Sequence, residues 1–96
     1  MNVSVLVFEV VSSLGEELGN AGLAAPTAET RLFGAEGLDS VALVTLIADL
    51  EDRLAEETGK AVILADEKAM SRFHSPFRTV GTLIAHVERV VDGDRR

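Results

Sequence analysis

Gly34-Ala35-Glu36-Gly37-Leu38-Asp39-Ser40-Val41, running into the apolar-periodic stretch Leu43 to Leu54, decides how this chain is read. Leu43, Val44, Ile47, Leu50 and Leu54 recur at the spacing of one helix face. The run therefore predicts a helix from about Ser40 to Glu57, with Asp39 as its N-cap and Gly59 as its stop. Ser40 then stands in the first turn, its hydroxyl in the open. A helix N-terminus presents unpaired backbone N–H groups and a positive partial charge, which suits a phosphate. No base stands beside Ser40 in sequence, so the serine reads less as a nucleophile than as a place to hang a phosphate-linked group. Taken alone, Asp-Ser before an apolar run is also an ordinary helix cap. The surroundings decide between the two.

Three more helical stretches lie outward from this one. Val3, Val7, Val10, Leu14 and Leu18 carry a helical period, and Gly19-Asn20 supplies stop signals. The β-branched residues of Ser4 to Val11 also suit a strand. Because the period continues through Leu18, the expectation is a helix. Residues Gly19 to Gly37 form a long connection holding Pro26, with Leu32 and Phe33 as its expected anchors in the core. A short third helix is expected from Asp66 to about Phe73, ended by Ser75-Pro76. The last helix is expected to start from Thr79 as N-cap, with Val80, Leu83, Ile84, Val87 and Val91 as its apolar stripe. Asp92 to Arg96 reads as a charged, frayed tail. The expectation is one all-α domain over 1–96, with its ordered core at about 3–91.

Composition narrows the function. Apolar residues make up 47% of the chain and aromatic ones 4%, which favours packed aliphatic helices. There is no cysteine, so neither a disulfide framework nor a protein thiol is available; thiol chemistry would need an attached group. The net charge of −7 is unevenly spread: residues 1–67 hold 13 acidic and 3 basic side chains, residues 68–96 hold 3 acidic and 6 basic. An acidic majority argues against nucleic-acid binding and favours basic protein partners. The start of the chain lacks a basic leader and a clean cleavage pattern, and no apolar run reaches membrane-spanning length. A cytoplasmic, monomeric protein without stable membrane insertion is the expectation.

Gly37-Leu38-Asp39-Ser40-Val41 resembles the Asp-Ser-Leu motif of acyl carrier proteins, and the resemblance extends over roughly Val3 to Val91. Leu32-Phe33 sits where that family has a hydrophobic pair before its serine. Leu50-Glu51-Asp52-Arg53-Leu54 looks like the acidic end of the family's second helix, and Phe77-Arg78-Thr79-Val80-Gly81-Thr82-Leu83 looks like the entry to its last helix. The resemblance implies a four-helix bundle with a long loop between helices one and two. It implies that Ser40 carries covalent 4'-phosphopantetheine, installed by a phosphopantetheinyl transferase, with Asp39 holding the turn and orienting the phosphate or the transferase's metal. The arm's thiol would hold an acyl group as a thioester and present it to acyl-loading and acyl-processing enzymes of fatty-acid, lipid or polyketide-type synthesis. The chain would then be a carrier with no catalytic residue, not an enzyme. An aminoacyl or peptidyl carrier shares the same serine and fold, and an unmodified acidic interaction bundle is the alternative from another class.

The resemblance also implies that partners dock on the second helix, whose outward face holds Val41, Ala42, Thr45, Ala48, Asp49, Asp52 and Glu56. The sequence departs from the family there: the early outward positions are Ala42 and Thr45, and acid appears only from Asp49 onward. A second departure is the stretch Gly59 to Arg78, longer than usual and holding Lys68, Arg72, His74 and Arg78. Both fit a specialised carrier. Other constellations are thin. His74 and His86 lack zinc-ligand spacing, so no metal is expected. His86 reads as a packed or rim histidine beside the last apolar stripe. Asp66-Glu67 and Asp92-Gly93-Asp94 lack the ligand pattern of a calcium loop. No Gly-x-x-x-x-Gly-Lys loop is present, and Ser40 has no visible His/Asp partners. The four phenylalanines, Phe8, Phe33, Phe73 and Phe77, read as core or loop anchors.

Overall fold

The structure, a computed structural model, describes residues 2–32, 38–64 and 77–94. Among these it contains four helices: α1 (Val3–Leu18), α2 (Ala21–Ala24), α3 (Ser40–Thr58) and α4 (Val80–Asp94). No strand is present among the described residues; an isolated bridge pairs Arg31 with Thr79. The expected third helix, Asp66 to Phe73, lies outside the described residues, as do Phe33, Lys68, Arg72 and His74.

The helix in α1 prevails over the β-branched character of Ser4 to Val11 because both of its ends are capped and one face is buried. The Asn2 side chain accepts from the Val5 N–H at 3.1 Å. At the other end Gly19 takes a left-handed φ of 68°, and its N–H returns to the carbonyls of Glu16 and Gly15. Leu6, Val7, Val10, Val11 and Leu14 are buried. Leu18 is not: it is 53% exposed, a correction to the expected stripe. Leu18 faces the same way as the buried Val7 and Val11, but as the last residue of α1 it stands past the end of the buried stretch.

The long connection after α1 is not all loop. Asn20, expected only as a stop signal, is the N-cap of α2, accepting from the Leu23 N–H at 3.1 Å. α2 lies tightly on α1 over Gly15, where a Cβ would come within 2.8 Å of Leu23 Cβ and would strike the backbone of Leu23 and Ala24. The Ser12 hydroxyl donates to the Ala24 carbonyl at 2.6 Å. Further on, the connection is stitched to the start of α4 by main-chain bonds: Leu32 N–H to Arg78 O (3.0 Å), Val80 N–H to Thr30 O (2.9 Å) and Gly81 N–H to Ala28 O (2.8 Å). Leu32 is fully buried.

α4 begins where expected. Thr79 and Thr82 cap each other: the Thr82 N–H donates to Thr79 Oγ1 at 3.1 Å, and the Thr79 N–H to Thr82 Oγ1 at 2.9 Å. Val80, Leu83, Ile84, Val87 and Val91 are all buried. The helix runs on to Asp94, so Asp92 stands in its last turn and not in a frayed tail; burial of Val91 holds that turn against the core. Each of α2, α3 and α4 packs on α1, whereas α3 and α4 make no close backbone approach to each other. The shared core is wholly apolar among the described residues, with Phe77 its largest fully buried side chain and Phe8 and Val3 packed at its edge.

Candidate functional site

The site is built by the start of α3. Leu38 is buried, and its N–H donates to the Leu32 carbonyl at 2.6 Å, which ties the residue before the Asp39 cap to the buried Leu32. Asp39 follows in extended conformation (φ −79°, ψ 178°), is exposed, and accepts the Ala42 N–H on its carboxylate at 2.8 Å. The Leu43 N–H then makes the first bond of the helical ladder, to the Asp39 carbonyl at 2.9 Å. Asp39 is thus the N-cap expected from the sequence. The N–H groups of Ser40 and Val41 precede the ladder and have no place in it, the arrangement that favours an anion at a helix start. Ser40, the first residue of α3, lies between two anchored leucines, Leu38 and Leu43, and ahead of Val41, which is 76% exposed. The start of α3 is therefore anchored on the core by Leu38 and Leu43. The capped, 19-residue helix supplies the positive end that a phosphate ester at its start would meet.

The outward face of α3 is nearly as read. Val41, Thr45, Ala48, Asp49, Asp52 and Glu56 are exposed, and Ala42 is half-buried against the core. Thr45 turns its hydroxyl back onto the Val41 carbonyl at 3.1 Å. Val44 corrects the expected core face: it is 63% exposed, while Leu46, absent from the expected stripe, is fully buried. Helical geometry accounts for both, since Leu46 stands close to the line through Leu43, Leu50 and Leu54 and Val44 about 100° from it. Val41, Val44 and Ala48 consequently form an apolar strip beside the helix start, with Asp49 and Asp52 further along.

Arg53 does not stand among those acids as an independent charge. Its guanidinium donates to the Glu9 carboxylate of α1 at 3.1 Å. The face of α3 is left with its carboxylates outward, and a groove of about 240 Å³ lined by Val10, Ser13, Asp49, Asp52 and Arg53 continues it toward α1. Glu51, on the flank of α3, accepts the Leu64 N–H at 2.7 Å. His86 is a packed rim histidine: Nε2 lies 2.8 Å from the Leu64 carbonyl and its ring meets Phe77 edge-on at 5.8 Å. No helix among the described residues is long and apolar enough to cross a membrane.

A helical domain that presents a capped serine at the start of a long amphipathic helix has the build of a carrier. Residues 9–68 match the family described as a phosphopantetheine attachment site, and the chain belongs to that family. The matched span holds most of α1, all of α2 and α3, and the whole turn around Ser40. The group carried by this family is covalent 4'-phosphopantetheine, and domains of this kind are carriers on which transferases and processing enzymes act. No curated protein and no solved structure gives a match to the chain.

Proposed function

We propose that this chain is an acyl carrier protein whose arm is attached to Ser40. The observation that carries the reading is the placement of Ser40 as the first residue of α3, inside the matched span and directly after the Asp39 cap. A phosphopantetheinyl transferase joins the Ser40 hydroxyl oxygen to the phosphopantetheinyl phosphate of coenzyme A, and the nucleotide portion leaves with the other phosphate. Asp39 holds the turn through Ala42 and stands beside the incoming phosphate and the transferase's metal. The arm supplies the thiol that a cysteine-free chain lacks, and the cargo is held there as a thioester. Ser40 and its neighbours perform no catalysis.

Partner enzymes of fatty-acid, lipid or polyketide-type synthesis dock on Val41, Ala42, Thr45, Ala48, Asp49 and Asp52, with Val44 added by its exposure. The strip nearest Ser40 is apolar and the far end acidic, so the matching partner surface places an apolar patch near its active-site mouth and basic side chains further out. The unusual stretch Gly59 to Arg78 belongs to a dedicated pathway, with the carrier acting as a single-domain, cytoplasmic monomer. An aminoacyl or peptidyl cargo uses the same serine, and the loading enzyme distinguishes the two.

The test is intact mass after incubation with coenzyme A and a broad-specificity transferase. One phosphopantetheinyl group is expected, and Ser40→Ala is expected to abolish the gain. Modification at another serine, or none with several transferases, would sink the assignment. Transfer of an acyl group, but not of an aminoacyl group, from the genomically neighbouring loading enzyme to the holo form is the expected second result.

A further inference from the structure

The connection that follows α3 returns to the core at Leu64, which is fully buried. Its two flanking peptide groups are held by side chains from two different helices. The N–H on its amino side donates to Glu51 of α3 at 2.7 Å, and the C=O on its carboxyl side lies 2.8 Å from His86 Nε2 of α4. Fixing both peptide planes around one Cα fixes both soft dihedrals of that residue. A carbonyl oxygen can only accept, so this contact requires the proton of the imidazole on Nε2.

His86 makes a second contact that matters here. Its ring lies edge-on to Phe77, at a centroid distance of 5.8 Å and an interplanar angle of 82°. Leu64 and Phe77, buried at 0% and 1% exposure, are the described residues that flank 65–76. One side chain on α4 therefore touches both ends of the connection between α3 and α4. Those two helices have no close backbone approach of their own.

We infer that Glu51 and His86 form a two-sided anchor on Leu64, in which His86 is the positioning residue that registers both ends of the α3–α4 connection and ties α4 to the helix bearing Ser40. Neither helix sets the direction of the chain at Leu64 alone. Each bond presents the Leu64 backbone correctly to the other, so the two are coupled mechanically, with Leu64 Cα as the shared joint. Removing the imidazole then weakens a bond that it does not itself make, the one from the Leu64 N–H to Glu51.

That cross-effect is what the test reads. Amide hydrogen exchange is followed at Leu64 in the full chain, together with the imidazole nitrogen shifts of His86. His86→Leu is expected to speed exchange of the Leu64 amide at least about tenfold, although its direct acceptor, Glu51, is untouched. His86→Gln, whose amide nitrogen sits near the place of Nε2, is expected to restore protection. Glu51→Leu is expected to move the His86 nitrogen signals away from the Nε2–H pattern, and Glu51→Gln, which keeps an acceptor oxygen, to leave them in place. Leu64 exchange in His86→Leu equal to the parent's would show two independent bonds and overturn the inference. Should His86→Leu fail to fold, Glu51→Leu decides through the reciprocal effect: His86 nitrogen signals moved from the Nε2–H pattern support the anchor, and unmoved signals overturn it.

Discussion

Gly15 is where α1 and α2 come closest, and a methyl group there has nowhere to go. Gly15→Ala is expected to lower stability by about 1–3 kcal/mol, as overpacking does, with the melting temperature falling accordingly. Gly59 is demanding for another reason: its φ of 72° is left-handed, and Gly59→Ala is expected to cost about 1–2 kcal/mol even though nothing lies near it. Gly22 is the internal contrast, where a Cβ would meet only Asn20 Oδ1 at an ordinary 3.4 Å, so Gly22→Ala is expected to be neutral or to stabilise by up to about 1 kcal/mol. Thermal melts of the three variants check the order. The same scale shows what a sequence reveals of single residues. Asp39 as cap and Ser40 as first helical residue were legible because capping is local chemistry. Val44 was not, because a stripe drawn by eye tolerates an offset of about 100° that the packed helix does not, and Leu18 was not, because spacing does not show where a helix runs past its core.

Among the elements, α3 has the clearest division of labour. One face, Leu43, Leu46, Ile47, Leu50 and Leu54, is core; the other carries exposed valines and then carboxylates. If the outward face steers partners, Asp49→Lys with Asp52→Lys is expected to slow transferase modification of Ser40 several-fold at low salt, and added salt is expected to erase the difference. Initial rates by intact mass, compared at two ionic strengths, measure this. Equal rates at low salt would place docking elsewhere. α4 depends on its cap: Thr79→Ala removes the oxygen that receives the Thr82 N–H and is expected to cost about 0.5–2 kcal/mol in urea unfolding. The bounds of α1 and the apolar stripe of α4 could be read from spacing because each runs for 15 residues or more. α2 could not, since Ala21-Gly22-Leu23-Ala24 is too short to display a period. What makes it a helix is Asn20 on one side and the notch at Gly15 on the other.

Across the molecule, the described core is held by burial of apolar, mostly aliphatic side chains. The ion pair of Glu9 with Arg53 is roughly half exposed at both ends, so replacing Arg53 by Ala is expected to change stability by less than about 1 kcal/mol. Leu50→Ala, at a fully buried position, is expected to cost about 2–5 kcal/mol. Charge asymmetry, helix content and the cysteine-free chemistry were open to a sequence reading. The seam between residues 28–32 and the start of α4 was not, because it is made of main-chain groups that every residue possesses. That seam also has a history in time. It joins Thr30 to Val80 and Ala28 to Gly81, positions about fifty apart, so the chain must close a long loop before the first of these bonds returns anything. Local helices are expected to form before the seam, and the seam's bonds to be made after the folding barrier. A substitution confined to it, such as Gly81→Ala, whose methyl would approach the Ala28 carbonyl at 2.9 Å, should accordingly hasten unfolding while leaving the refolding rate almost unchanged.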